Sequence, residues 1–491
     1  MKNILIAIRS IFKKGRHNVM KIVSLGIGLA VGLVLIAKVY FEQSYDDFYP
    51  DRDRVYQVWA KYQQNGGELK DYPQTSGGIA PTMQQQIPEI ETVTRYTSFG
   101  DWTFTMTDTK MKYSGRCIIA DSCFFDILPR PMLIGNAKEV LSIPMYVLVS
   151  SRIAKNIGGD VIGKNFTVDS SPGRTMTIGG VFEEVPENSH SRYDVIVSMA
   201  SAGRFMWEGS PTNMLGNDRY ISYVKLHKGV NPLALEEQVH TFVNSYFPPE
   251  EQQKTGFNIG FSFHELDGLH KELPQVKRMT WILSLLAFAL IFTAVMNYIL
   301  IVISSIVNRS KEVAVHKCYG ASENNIHGMM FGEALVHIVL SLILALLLIL
   351  AFRGTVEELL ATSLDSLLLS NGSLVLLGIC ILVFFVSGFM PGSLYARIPV
   401  ASAFRNYREN KRIWKKALLL VQFVATGFLV TMLVFVARQY TFMVNDRPGY
   451  AYENLAYCGL AGVDSTSRAK ILDEVMRLPG VVAATAVYQL P

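Results

Sequence analysis

Five apolar runs constrain this chain more than any other feature. IVSLGIGLAVGLVLIAKVY begins at Ile22, WILSLLAFALIFTAVMNYILIVISSIV at Trp281 and FGEALVHIVLSLILALLLILAF at Phe331, and two more runs occupy 373–395 and 417–437. Each is about as long as the roughly 20 apolar residues a helix needs to cross a bilayer core. Backbone groups in lipid must be satisfied within their own segment, so the runs are expected to be helices. Charged residues make up 18% of the chain beside 50% hydrophobic, below the roughly 25% charged of a soluble globular protein. Residues 41–278 nevertheless contain no spanning run. The fold class that follows is an α-helical transmembrane protein with a large domain inserted after its first span.

The basic residues set an orientation. Lys13, Lys14, Arg16 and Lys21 precede or open the first run, and Arg397, Arg405, Arg408, Lys411, Arg412, Lys415 and Lys416 crowd the connector before the fifth. The connector between the third and fourth runs instead carries Glu357, Glu358 and Asp365 against Arg353. Lysine and arginine stay on the cytoplasmic side, so the N-terminus, the 308–330 segment and the 397–416 connector are expected inside, and 41–278 outside. The first run is read as an uncleaved span in preference to the alternative, a secretory signal, because it is too long for one and no small-x-small cleavage site follows it. The net charge of +5 is modest, and the basic residues crowd into a few short stretches beside apolar runs, which fits membrane lipids and gives no reason to invoke nucleic acid. Cysteines 117, 123, 318, 380 and 458 show no CxxC spacing, so neither a zinc site nor a thioredoxin-like motif is implied. Cys117 and Cys123 are read as free thiols in preference to a bridge, since a domain this large needs no staple.

Within 41–278, short β-like stretches alternate with Gly, Pro and Asn turns. Strands are expected at Val55–Lys61, Met145–Val149, Met176–Val181, Val195–Met199 and Tyr220–Leu226, with helices at Ile79–Gln86 and Pro232–Tyr246, a mixed α/β domain. Gly158 to Asn165 falls one residue short of a phosphate-binding loop. Asn165 stands where a hydroxyl must hold magnesium, and the expected order is helix, turn, strand. His264-Glu265 opens like a zinc-protease motif but lacks the second histidine one turn later. Nothing in the chain supports an enzyme, and no cofactor or metal is called for.

The polar segment between the second and third runs is the expected working part. Lys311-Glu312-Val313-Ala314-Val315 reads as a short charged helix, Gly320 as its stop and Ser322 as the N-cap of the next helix. Glu333 and His337 lie one helical turn apart within the third run, where a charge is costly unless paired. Glu333 is read as a structural partner of loop cations in preference to a proton relay. Gly28 and Gly32 form a GxxxG in the first run, equally compatible with close helix approach and with ordinary composition.

The pattern R-x-K-E-V-A-V-x-K-x-x-G-A-S from Arg309, followed by an apolar helix opening Phe-Gly-Glu-Ala, resembles the signature of FtsX-like ABC transporter permeases. DDFYPDRDRVYQV, ADSCFFDILPRPMLIGN, YVLVSSRIAKNIGGDVIGKNFTV and GGVFEEVPENSHSRYDVIVS are similar, in order, to the periplasmic core domain of MacB-type permeases. The resemblance implies a non-catalytic permease subunit of the mechanotransmission type in a bacterial inner (plasma) membrane. It would couple ATP hydrolysis by a separate cytoplasmic ABC subunit to motion of the outer domain, exporting or releasing a peptide, lipoprotein or drug-like substrate. It also implies a second permease copy or half and a periplasmic adaptor as partners. Lys311, Glu312, Val313, Lys317 and Gly320 would then form the ATPase-coupling site, docking through the face that carries Val313 and Lys317. His316 and Cys318 depart from the family pattern. A rival reading is a non-transporting regulator that activates an extracytoplasmic hydrolase or signals antimicrobial peptides.

The expected organisation is residues 1–40 as N-terminus and first span, 41–278 as the outer domain, 279–396 as spans two to four, 397–437 as linker and fifth span, and 438–491 as the start of a second outer domain. From Val400 onward the pattern of basic stretch, span and helix closing on Leu-Pro-Gly-Val-Val repeats the chain's opening, an internal duplication whose second copy is incomplete.

Overall fold

The computed structural model describes residues 17–169, 171–368, 372–396, 413–445, 454–459 and 465–487. The chain divides into two compact units, Met1–Ser44 with Lys271–Tyr450, and Tyr45–His270 with Ala451–Pro491.

The first unit is helical. Its main helices are α1 (Asn18–Gln43), α2 (Pro274–Ser304), α3 (Ile306–Cys318), α4 (Glu323–Ala351), α5 (Ser373–Ala396) and α6 (Ile413–Asn445). All but α3 are long and apolar enough to cross a membrane. The helix formers Leu, Ile and Ala fill these runs, and apolar residues all round a helix mark it as a spanning or core element. Glycine decides how closely the helices pack. A Cβ on Gly28 would lie 2.2 Å from the Cβ of Ala294, and one on Gly32 would lie 2.4 Å from Cγ1 of Ile291. The GxxxG of α1 is therefore a contact surface for α2. Gly388 plays the same part between α5 and α4, since a Cβ there would meet the Phe331 ring at 2.6 Å. Leu25, Leu29, Tyr298, Ile299 and Ile338 form the middle of the bundle core.

The second unit is built on one mixed sheet. Its strands are β1 (Val55–Gln64), β2 (Lys70–Tyr72), β3 (Ile90–Met106), β4 (Lys112–Ala120), β5 (Met132–Ile134), β6 (Tyr146–Ser150), β7 (Asn165–Val168), β8 (Ser171–Phe182), β9 (Val195–Ser198), β10 (Ile221–Leu226) and β11 (Phe257–Glu265). Their order is β11-β1-β10-β3-β4-β9-β6-β8-β5, with β2 beside β1, and β7 against both β3 and β8. The β4–β9 and β6–β8 pairs are parallel and the others antiparallel. β3 runs for 17 residues with a register shift between Ser98 and Gly100, where Gly100 takes a φ of 73°, open to glycine at no steric cost. The helices Ile79–Gln86 and Glu236–Tyr246 cover one region of the sheet, with Ile79, Met83, Phe242 and Val243 packed on Val58 and Val224. The helix expected from Pro232 begins as a 3-10 turn over Pro232–Leu235 and becomes α-helical at Glu236. Among the described residues all five cysteines are free thiols, and burial pushes those of Cys117 and Cys123 up.

Candidate coupling site

The polar segment over 308–330 is helical on both sides of a tight turn, the helix, stop and cap that the sequence pattern implies. The break between α2 and α3 is a single residue, Ser305. Its hydroxyl donates to the Val302 carbonyl at 2.6 Å and lies 3.1 Å from the Tyr395 hydroxyl, which in turn donates to the same carbonyl at 3.0 Å. Tyr395, from α5, is fully buried, so the hinge of α2 and α3 is pinned by a third helix. Sequence reading missed Tyr395, whose only signal was a hydroxyl at the end of an apolar run.

The other end of α3 is closed by backbone bonds. The Ala321 N–H donates to the His316 carbonyl and the Gly320 N–H to that of Lys317, both at 3.0 Å. That pair of bonds is a Schellman motif, and it needs a left-handed residue where Gly320 stands with φ 86°. Ser322 then caps α4, its side chain accepting from the Asn325 N–H. The stop and the cap lie where the sequence placed them.

Burial corrects the expected docking face. Val313 and Ala314 are each 1% exposed and belong to the same cluster as Ile326, Met330 and Tyr395. Val313 is therefore an anchor of α3 on the bundle, and Lys317, one turn on, is half-buried on the same side. Glu312 is also half-buried, whereas Lys311, Val315, His316 and Cys318 are exposed and Tyr319 is 89% exposed. Lys311, Val315 and Cys318 follow the i, i+4, i+7 spacing of one helix face. The spacing argument correctly paired 313 with 317 but had no means of telling inward from outward.

Glu333 is paired from an unexpected direction. Its carboxylate lies 3.5 Å from the Lys21 ammonium of α1, with the two side chains 8% and 1% exposed, and Lys21 also donates to Asn18 Oδ1 at 3.2 Å. A cation of the first span is thus one partner of Glu333, beside the loop cations that the sequence suggested. One turn along α4, His337 Nδ1 lies 3.2 Å from the Tyr298 hydroxyl of α2, and Ser341 donates to the Ile22 carbonyl. Residues 333, 337 and 341 thus make a polar seam facing α1 and α2. A charge in a spanning segment is tolerated where it faces protein and finds a partner. The connector 397–412 lies outside the described residues.

The near-match to a phosphate loop folds as a plain turn. Helix Ser151–Ile157 ends at Gly158, β7 begins at Asn165, and the Lys164 ammonium donates to the Gly158 carbonyl. His264 sits on strand β11, stacked on Trp59, so the HE pair does not open a helix. Among the described residues no cluster of His, Cys, Asp and Glu is placed to hold a metal.

Helices long and apolar enough to span a membrane, a short pinned helix set between two of them and an α/β domain inserted after the first define a membrane protein with a large inserted domain. A model of the MacB-like periplasmic core domain matches residues 20–242, and one of the FtsX-like permease C-terminal domain matches 284–400. The chain belongs to the MacB/FtsX-like family of ABC transporter permeases, membrane components that work with an ATP-binding subunit. Among solved structures, a domain assigned to a permease protein from Porphyromonas gingivalis is 32% identical, covering 44% of this chain and 91% of that one at a TM-score of 0.41. The periplasmic region of MacB from Actinobacillus actinomycetemcomitans is 16% identical over 42% of this chain and 87% of its own, with a TM-score of 0.28. The extracellular domain of the noncanonic ABC-type transporter YknZ from Gram-positive bacteria is 10% identical over 42% and 98%, with a TM-score of 0.30. No curated protein matches the chain.

Proposed function

We propose that this permease subunit works by mechanotransmission in a bacterial inner membrane. Closure of a cytoplasmic ATP-binding subunit displaces α3, the displacement passes along α2 and α1, and the α/β domain, placed outside, changes shape to export or release a peptide, lipoprotein or drug-like substrate. One observation carries this reading: α3 is a short helix with a buried inner face, pinned at Ser305 and stopped at Gly320, that offers an apolar and cationic outer face. A helix held this firmly passes on a push without absorbing it, and an exposed aromatic beside an exposed aliphatic is what a groove on a partner can bury. Lys311 and Glu312 would orient the helix, Val313 and Lys317 would seat it, Gly320 would end it, and Val315 and Tyr319 would make the contact. The domain limits 41–278 and 279–396 are proposed as the outer and coupling parts, with a second permease copy or half and a periplasmic adaptor as further partners.

The test is recovery of the ATP-binding subunit with the full-length chain. Tyr319→Ala and Val315→Asp are each expected to weaken the complex about thirtyfold, roughly 2 kcal/mol for a central contact, while insertion of the chain into membranes stays normal. Wild-type recovery with both substitutions would remove α3 as the docking element.

A further inference from the structure

One buried charged cluster of the α/β domain has no part in the coupling site. Asp46 lies three residues beyond α1, is 0% exposed and has a left-handed φ of 60°, a conformation that a non-glycine residue keeps only where its surroundings enforce it. Its backbone N–H donates to the Asn188 carbonyl at 2.9 Å. Its carboxyl group accepts from the Ser189 hydroxyl at 3.1 Å and the His190 N–H at 3.3 Å, and lies 2.8 Å from His190 Nδ1. With Nδ1 donating to the carboxyl, Nε2 is left to accept from the Tyr223 hydroxyl, 2.5 Å away. Tyr223 is on β10, and Ser191 adds a bond to the Tyr96 hydroxyl on the neighbouring β3 at 2.9 Å. Burial pushes the phenols of Tyr96 and Tyr223 up, which keeps both protonated.

The segment around Asp46 is also joined to the segment that leaves the domain. Tyr45 stacks on His270 with ring centroids 3.4 Å apart and planes 10° from parallel. Arg52 spans Asp47 at 2.8 Å and Asp267 at 3.2 Å. A chain that merely linked a span to a domain would need none of this. Burying a carboxyl group is costly unless it is fully bonded, and here the bonds run from the first residues after α1 into two central strands of the sheet.

We infer that Asp46, His190 and Tyr223 form a clasp that fastens the chain leaving α1 to β10 and β3, so that a displacement of α1 reaches the middle of the sheet. The clasp rests on the mechanotransmission reading. Asp46 and His190 are positioning residues, whose work is to remove slack.

The experiment uses the full-length chain in complex with its ATP-binding subunit, and it reads the ATP-dependent difference in amide hydrogen exchange across β3 and β10. Wild type is expected to show a difference and Asp46→Ala to lose it, with cooperative thermal unfolding of the domain retained in both. In the pair D46C/S189C, placed at two residues whose side chains are now hydrogen-bonded to each other, the oxidised form is expected to regain the difference and the reduced form to lack it. An ATP response in Asp46→Ala equal to wild type overturns the clasp. Loss of cooperative unfolding in both Asp46→Ala and the reduced pair overturns it too, because the cluster would then serve folding alone. No response in wild type overturns the mechanotransmission reading itself, a result separate from either.

Discussion

Lys21 and Glu333 show how one residue's role changes once its neighbour is known. In the sequence Lys21 is one of several cations ahead of an apolar run, and Glu333 a lone acid inside another, 312 positions later. Folded, they face each other at 3.5 Å with almost no exposure. Removing one member of a buried pair leaves an uncompensated charge and costs about 3–5 kcal/mol, whereas replacing both with apolar residues of similar volume is near neutral. Lys21→Met alone is therefore expected to lower the thermal unfolding temperature of the detergent-purified chain markedly, and Lys21→Met with Glu333→Leu to restore most of the loss. Additive losses in the double variant would mean that each residue is held by groups other than its partner. The same limit explains Val313. Periodicity says which residues share a face, and only the packing of Val313 with Ile326 and Met330 says that this face looks inward.

Elements were legible in proportion to how strongly their pattern departs from that of a loop. The spanning runs, Ile79–Gln86 and the strands from Tyr146, Val195 and Ile221 could be read because apolar or β-branched residues cluster between turn residues. β3 and β4 were missed, since TVTRYTSFGDWTFTM mixes threonine, charge and glycine, and its pairing with Lys112–Ala120 depends on a bulge that no local pattern announces. β11 was missed for a similar reason: FNIGFSFHE earns its place only by pairing along β1. The α1–α2 contact allows a test of element packing. Gly28→Ala would set its Cβ 2.2 Å from that of Ala294, but the next nearest atoms stand at 3.6 Å, an ordinary contact. Gly28→Ala is expected to destabilise by about 1–3 kcal/mol through overpacking, and adding Ala294→Gly to return the unfolding temperature most of the way to wild type. Failure of the second substitution to rescue the first would mean that α1 and α2 do not pack through this glycine.

At the scale of the whole molecule, orientation is what the positive-inside rule predicts. Arg353, the lone cation of the connector after α4, is bonded to Glu357 at 2.9 Å and reaches Asp365 at 3.2 Å, so that connector offers the positive-inside rule a single cation. At the end of α1 nearest the α/β domain in sequence, Lys38 is likewise buried against Glu42 at 2.7 Å and Thr362 at 2.8 Å. Lys38 and Thr362 thus place the end of α1 beside the connector after α4, and both should lie on one side of the membrane. The rule counts cations near span ends, and Lys13, Lys14, Arg16, Arg309, Lys311, Lys317 and the 397–416 cluster outnumber Lys277 and Arg278 at the other end of α2. A topology reporter fused after Tyr40, Arg353 or Ala437, or at residue 200, is accordingly expected to read as extracytoplasmic, and one after Asn308 or Arg405 as cytoplasmic. The pairing of Lys38 with Thr362 adds a stricter condition, because Tyr40 and Arg353 must then agree with each other whichever side they occupy. Disagreement between those two would contradict the packing of the bundle. Agreement on the cytoplasmic side, with residue 200, would leave the bundle intact but remove α3 from reach of an ATP-binding subunit and end the coupling proposal.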